Sequence, residues 1–173
     1  MQSSRRQFLR KSGGLGVALA VSPLVGYSSP AQVSSDTLPA DITELGSSQL
    51  SVAIRRRQLS CREVMQAYLD RIKRYNPVYN AIVAMPEQDS LIRQAEAADK
   101  ALDHGDYWGW MHGMPHAVKD LSNVKGLLTS RGSPLFANNV APLDDIFVER
   151  IRGQGAIFIG KTNVPEFGLG SQT

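Results

Sequence analysis

The 173-residue sequence contains one cysteine and three histidines. One cysteine, Cys61, cannot form an intramolecular disulfide. Its place in the first turn of a predicted helix could lower the thiol pKa, but no partner for a reactive thiol is evident, so we interpret Cys61 as a buried structural residue. The histidines His104, His112 and His116 are too loosely spaced to form a ligand set. The sequence therefore predicts no metal site, and no motif in it indicates a cofactor.

The body of the sequence has no excess of positive charge, although the formal net charge is +3. Arg5, Arg6, Arg10 and Lys11 all lie within the first eleven residues, where there is no acid. Without these four cations, 15 lysines and arginines stand against 16 acids, a net charge of −1. Such a body carries no electrostatic footprint for nucleic acid or an anionic membrane. We therefore predict that the protein has no nucleic-acid partner.

Long hydrophobic runs are also missing, and the most apolar segment follows a basic motif. The motif Ser4-Arg5-Arg6-Gln7-Phe8-Leu9-Arg10 matches a twin-arginine export signal in the serine, both arginines and the Phe-Leu pair. The apolar segment over residues 13–25 is broken by glycines and is shorter than the roughly twenty residues of a membrane span, so no stable membrane insertion is expected. We predict a signal peptide over residues 1–31, the bacterial twin-arginine export machinery as a partner, and a periplasmic or secreted location.

A polar linker over residues 32–40 precedes a body over residues 41–173 in which predicted helices alternate with strands. Helices are predicted over residues 41–57, 60–76, 86–103 and 145–152, and strands over residues 80–85, 115–121 and 156–160. Ser60 and Glu63 form a capping-box pattern at the start of the second helix, and Asn76-Pro77 predicts its end. Helices that alternate with buried strands favour an α/β fold with a mixed sheet covered by helices.

One predicted strand carries a lysine in an apolar run. In Gly113-Met114-Pro115-His116-Ala117-Val118-Lys119-Asp120-Leu121, a turn leads into the strand and Lys119 interrupts it. An ammonium removed from water is costly, so a lysine inside a strand is either bridged to Asp120 or held neutral. A neutral lysine is a base that can activate a serine hydroxyl. From these residues alone, a strand-end lysine whose amine reaches water is the commoner outcome and the favoured interpretation.

Several motifs, in order, resemble the N-terminal part of an amidase signature enzyme. The lysine strand resembles that family's Gly-Ile-Pro…Val-Lys-Asp strand, and Thr129 with Gly132-Ser133 resembles the Thr-x-Gly-Ser loop that follows it. A third segment resembles the family's Gly-Ala…Gly-Lys-Thr-Asn…Glu-Phe run: Gly155-Ala156-Ile157, Gly160-Lys161-Thr162-Asn163 and Glu166-Phe167. The resemblance covers nearly everything after the linker and implies the N-terminal part of the amidase signature fold.

The resemblance also implies a reaction. A Ser–cis-Ser–Lys triad would hydrolyse a small-molecule carboxylic amide through an acyl-enzyme, with Lys119 as the catalytic lysine and no cofactor. The family's Gly/Ser-rich signature, which holds both serines, is expected beyond this chain, because Ser130, Ser133 and Ser171 lack that context. Ser130 and Ser133 are instead expected to shape a pocket wall or to satisfy backbone groups in their loop. The chain is thus expected to be an incomplete portion of an amidase domain, inactive alone and poorly folded because its strands would leave open edges.

Two alternative functions stay open at this point. In one, the short chain is the true product, a noncatalytic remnant that at most binds a partner. In the other, the protein is the amidotransferase subunit that releases ammonia from glutamine for transfer to charged tRNA. The twin-arginine leader argues against the second alternative because that work is cytoplasmic. The class of amide substrate cannot be assigned from fold-level resemblance.

Overall fold

The computed structural model describes residues 38–171, so the predicted signal peptide and most of the predicted linker lie outside the described residues. The helices in this range are α1 (Ser47–Arg55), α2 (Cys61–Tyr79), α3 (Gln88–Asp103) and α4 (Ile146–Gly153). The strands are β1 (Ile82–Ala84), β2 (Pro115–Lys119) and β3 (Ile157–Thr162). Short 3₁₀ helices cover Ile42–Glu44, Pro134–Phe136 and Glu166–Gly168.

The three strands form a mixed sheet in the order β1-β3-β2. β1 pairs antiparallel with β3, and β2 pairs parallel with β3. A parallel pair needs a crossover connection, and the segment between β2 and β3 supplies it with α4 near its end. The predicted α/β fold with a mixed sheet is therefore confirmed.

Apolar side chains cover the central strand β3 on both faces. Ile157 and Ile159 belong to a larger core built mainly with α1, α2 and α3. Phe158 points to the opposite face and packs with Val118, Val124 and Val148 in a smaller core. Alternation along the strand thus assigns successive side chains to two cores. Strand β3 is consequently the most buried element of the sheet.

The start of α2 follows the predicted capping box. Ser60 Oγ accepts a hydrogen bond from the backbone N–H of Glu63 at 3.1 Å, and the Glu63 carboxylate accepts one from the backbone N–H of Ser60 at 2.8 Å. These two bonds satisfy N–H groups that the helix start would otherwise leave unpaired. The hydrogen bonds to Ser60 also lower the pKa of the Glu63 carboxyl.

The predicted end of this helix is wrong. α2 continues through Pro77 to Tyr79 and closes at Asn80, which has the left-handed φ of 46°. The Asn76 side chain donates to the Ile82 carbonyl at 2.9 Å and accepts from the Ile82 N–H at 2.7 Å. These two bonds to β1 hold the last turn in helical form although Pro77 has no N–H to contribute.

The predicted helix over residues 41–57 is also wrong as one element. The chain forms a 3₁₀ turn over Ile42–Glu44, becomes extended at Leu45, and begins α1 only at Ser47. Asp41 caps the first turn by accepting from the Thr43 N–H at 2.8 Å, while the backbone N–H of Gly46 donates to the side chain of Gln49 at 2.9 Å. Two local caps therefore divide a segment whose apolar spacing suggested a single helix.

Gly113 begins the segment that enters β2. Its φ is +67°, in the left-handed region where a residue with a Cβ is strained. A Cβ added there would collide with the Sγ of Cys61, would lie 2.6 Å from the Cβ of Cys61, and would approach the Cβ of Ala98 at 3.2 Å. Glycine at this position lets the strand entry pass directly against α2 and α3.

Among residues 38–171, no helix combines the length and apolar character needed to cross a bilayer.

Candidate active site

The candidate site lies where β2 and β3 end side by side. The strands are parallel, with Val118 opposite Lys161 and Lys119 opposite Thr162. The backbone N–H of Asp120 then donates to the Thr162 carbonyl at 3.0 Å, which extends the pairing one residue past β2. The carboxyl ends of parallel strands are where α/β proteins place their ligands. The predicted catalytic residue Lys119 is therefore at the edge of the sheet where chemistry is expected.

Lys119 itself is exposed, so the prediction that its amine is sheltered from solvent is wrong for the described part of the chain. It shares a face of β2 with Ala117, which packs against the larger core, but it is the last residue of the strand. The exposed position of Lys119 in this chain therefore does not support a catalytic role. The motif around Lys119 still predicts that role, and it stays a prediction.

The buried lysine of this site is Lys161, on β3. Its side chain has 0% exposure and its Nζ lies 3.2 Å from Oδ1 of Asp120, whose side chain is 2% exposed. The amine also donates to the carbonyl of Ser122 at 2.5 Å and to the Oγ1 of Thr129 at 2.9 Å. Three acceptors match the three N–H donors of an ammonium. Burial lowers the pKa of the Lys161 amine, and its hydrogen bond and ion pair with Asp120 oppose that shift.

Asp120 joins this lysine to the loop that follows β2. Its carboxylate accepts from the backbone N–H of Ser130, at 3.2 and 3.1 Å for the two oxygens, and from the Ser130 hydroxyl at 2.5 Å. The sequence offered Asp120 as a possible partner for Lys119, but the structure pairs it with Lys161. Every oxygen of this buried carboxylate thus has a donor, as a charge removed from water requires.

The serines of the loop act as local hydrogen-bond partners, as predicted. Ser130 Oγ accepts from the backbone N–H of Gly132 at 3.2 Å while its hydroxyl donates to Asp120. Ser133 donates to the Glu166 carboxylate at 2.7 Å and accepts from the backbone N–H of Leu135 at 3.4 Å. Each hydroxyl therefore satisfies a backbone group of the loop.

Sequence reasoning missed Lys161 as a site residue, although a signal was present. Lys161 directly follows the apolar run Ala156–Gly160, so a strand lengthened by one or two residues would have contained it. When β2 and β3 are parallel neighbours, Asp120 after the end of β2 lies beside Lys161 near the end of β3. An ion pair between these two residues is then expected. That neighbour relation was not available from the residue pattern.

Two other residues that could carry chemistry, Cys61 and His112, lie in the interior of the fold. Cys61 is completely buried, in agreement with its interpretation as a structural residue, and burial raises the pKa of its thiol. The imidazole of His112 is buried, where Nε2 lies 2.9 Å from the Ala98 carbonyl and Nδ1 accepts from the Trp108 N–H at 3.1 Å. The described residues contain no cluster of three or more histidine, cysteine or acidic side chains able to hold a metal ion.

Comparison with known proteins decides the family. A sequence profile of the amidase family matches residues 63–173, which is well over half of the chain. The chain belongs to the amidase family. The matched range includes α2 from its third residue, all three strands, and both Lys119 and Lys161.

Curated relatives of this amidase-family chain carry two kinds of name. A glutamyl-tRNA(Gln) amidotransferase subunit of Alkaliphilus metalliredigens is 38% identical over 117 residues, which cover 68% of this chain and 24% of the relative. The acylamidase of Rhodococcus erythropolis is 35% identical over 124 residues, which cover 72% of this chain and 26% of the relative. The chain thus spans about a quarter of the length of these relatives.

Solved structures of amidases share the fold. The native peptide amidase from Stenotrophomonas maltophilia superposes with a TM-score of 0.67 at 30% sequence identity, covering 75% of this chain and 26% of that one. A fatty acid amide hydrolase superposes with the same TM-score of 0.67 at 26% identity, covering 74% of this chain and 23% of that one. The similarity therefore includes most of the described residues and a minor part of each neighbour.

Proposed function

We propose that this chain is the N-terminal portion of an exported amidase that hydrolyses the C–N bond of a carboxylic amide. The amidase-family match over residues 63–173 is the observation that carries the reaction class. The chain spans about a quarter of its curated relatives, so the proposal concerns a longer protein. The named relatives and neighbours, an acylamidase and a peptide amidase among them, support action on an amide without selecting one.

In the proposed reaction, Lys119 is the base of a Ser–cis-Ser–Lys relay. The uncharged amine takes a proton through the bridging serine from the nucleophilic serine, which attacks the amide carbonyl. The relay returns that proton to the substrate nitrogen, which leaves as ammonia or an amine while the acyl-enzyme forms. The relay then takes a proton from a water molecule that attacks the acyl carbon and gives it back to the serine as the acid is released, and backbone N–H groups stabilise the oxyanion of each tetrahedral intermediate. Both serines come from the part of the protein beyond this chain. The place of Lys119 at the carboxyl end of β2, the edge of the sheet where α/β proteins bind their ligands, supports this arrangement.

Reading the coding DNA beyond Thr173 is the first test. An open frame that encodes a Gly/Ser-rich signature supports the proposal, whereas an immediate stop codon favours the noncatalytic remnant. The complete product is then assayed for release of ammonia or amine from aliphatic, aryl, fatty and peptide amides. Lys119→Ala should abolish turnover, and Lys100→Ala, which removes an exposed lysine from α3, is the matched control. Turnover retained by Lys119→Ala would remove that residue from the mechanism.

Export is the second part of the proposal and rests on the sequence of residues 1–31, which lie outside the described residues. The twin arginines Arg5 and Arg6 are required by the twin-arginine pathway, so replacing both with lysine should retain the protein in the cytoplasm. Fractionation of cells with a periplasmic marker distinguishes the two locations. An unaltered distribution for the double variant would refute export by this route.

The amidotransferase role is the second candidate function, and the Alkaliphilus metalliredigens relative at 38% identity favours it. This candidate predicts ammonia release from glutamine that depends on charged tRNA and on further subunits. A complete product that hydrolyses simple amides alone, and whose leader is removed in cells, would exclude it. A product that acts on glutamine only with those partners would exclude the exported amidase instead.

A further inference from the structure

Lys161 lies on the central strand β3, but its amine binds groups that follow the end of the neighbouring strand β2. In the sheet it stands opposite Val118 of β2 on one side and Ala84 of β1 on the other, so its backbone is held from both sides. Its amine reaches past β2 to Asp120, Ser122 and Thr129. A single side chain thus links the middle of the sheet to the turn and the loop that follow β2.

The segments joined in this way are themselves fixed. Thr129 is completely buried, and its N–H donates to the Asn139 carbonyl at 2.8 Å while its own carbonyl accepts from the Asn139 side chain at 3.0 Å. Asp120 holds both the N–H and the hydroxyl of Ser130. The backbone N–H of Ser122 donates to the carbonyl of Lys119 at 3.0 Å. The carbonyl of Lys119 is thus bonded to Ser122, and both Ser122 and the adjacent Asp120 are bonded to the Lys161 amine.

A buried ion pair contributes little net stability, because the loss of hydration opposes the attraction between the charges. Removing two charges from water costs several kcal/mol for each, and an apolar pair of equal volume is often as stable or more so. What the ion pair supplies in addition is direction, because its hydrogen bonds fix angles that apolar contacts leave free. Its location one residue from Lys119 indicates which backbone it directs.

We propose that Lys161 is a positioning residue that, through Asp120, Ser122 and Thr129, fixes the carboxyl end of β2 and so sets the direction in which Lys119 projects. The inference rests on the proposed role of Lys119 as the base. Lys161 itself is enclosed within the fold, so it acts on the reaction through the backbone of Lys119.

The test compares three variants of the complete gene product with wild type. Lys161→Met removes the amine and leaves the buried carboxylate of Asp120 without its partner. Lys161→Met with Asp120→Asn removes both charges, so the stability lost in the single variant should largely return. Lys100→Met removes an exposed lysine of α3, outside the Lys161 network, and serves as the control.

Positioning and mere stabilisation predict different kinetics. Misplacing a catalytic group by about 1 Å costs about 100-fold in rate, so Lys161→Met should lower kcat by about that factor. The fall should be confined to kcat, since the Lys161 side chain is buried and is proposed to act through the backbone of Lys119. The double variant should recover its unfolding midpoint but keep the low kcat. Recovery of kcat together with the midpoint would overturn the positioning role, because the loss would then follow stability alone.

A second readout does not depend on turnover. Amide hydrogen exchange at residues 119–122 and 129–131 should become faster in both Lys161 variants, while exchange within α3 stays as in wild type. Unchanged exchange at the end of β2 would overturn the inference even for a protein with no hydrolytic activity. Absence of amide hydrolysis in wild type, with faster exchange in the variants, would refute the proposed function and leave the anchoring of β2 by Lys161 supported.

Discussion

Replacing Gly113 with alanine should destabilise the protein through two separable effects. The φ of +67° disfavours any residue with a Cβ, at a cost of about 1–2 kcal/mol. The new methyl group would also collide with the Cys61 side chain and approach Ala98, and forcing one carbon into a packed core costs about 1–3 kcal/mol. The expected total is about 2–5 kcal/mol, a large part of the stability of an ordinary domain.

Gly126 supplies the matched control for this prediction. Its φ of +83° is similar, but a Cβ added there would meet nothing within 4 Å. Gly126→Ala therefore keeps the backbone strain and omits the collision. Reduced freedom of the unfolded chain offsets part of the strain, by about 0.4–1 kcal/mol in both variants, so the difference between them isolates the crowding.

Urea titration of the complete product, followed by tryptophan fluorescence, measures both variants. We expect Gly113→Ala to unfold at lower urea than Gly126→Ala, by an amount equivalent to about 1–3 kcal/mol. Because Gly113 leads into β2, the displaced strand should also lower turnover at urea concentrations where the protein is still folded. Equal midpoints for the two variants would refute the close approach of Gly113 to Cys61.

Three further predictions concern single side chains. Lys119→Ala should lower kcat by at least about 100-fold, because a catalytic base usually contributes about 10²–10⁴-fold. Its exposed position should keep the free energy of unfolding within about 0.5 kcal/mol of wild type. Steady-state kinetics measures the first quantity and urea titration the second. Ser60→Ala should cost about 0.5–2 kcal/mol by removing the N-cap of α2, which urea titration compares with Ser90→Ala inside α3. Burial lowers the pKa of the His116 imidazole from 6.5, so the folded state resists protonation and stability should be complete above pH 6.5 and decline as the pH falls through the folded-state pKa. His116→Gln should flatten that decline in thermal unfolding measured against pH, and an identical decline in the variant would contradict it.

Much of the fold follows from local pattern. The capping box at Ser60 and Glu63, the apolar face of α3 with Ala95 and Ala98, and the continuous apolar run of β3 each specify their own element. Prediction failed where a distant partner decides the outcome. Pro77 indicated a helix end, but the Asn76 side chain binds Ile82 across the turn and keeps the helix intact.

The candidate site was predicted only in part for the same reason. The motif around Lys119 predicted a strand at that position, and the structure has one, β2, with Lys119 as its last residue; the catalytic role of Lys119 stays a prediction. Which lysine is buried depends on the pairing of β2 with β3, and a pattern of residues contains no record of that pairing. Lys161 rather than Lys119 therefore came to share the interior with Asp120. A lysine in an apolar strand did indicate a buried amine in this sheet. The buried amine belongs to Lys161 on β3, whereas the motif indicated Lys119 on the neighbouring strand β2.

The position of β2 on the rim of the sheet also matters when the chain is handled by itself. Among the described residues β2 has a hydrogen-bonded neighbour only in β3, so its other side offers open N–H and C=O groups to any extended peptide nearby. Two copies of the 173-residue polypeptide expressed alone are therefore able to pair along this strand, and self-association is expected to increase with protein concentration.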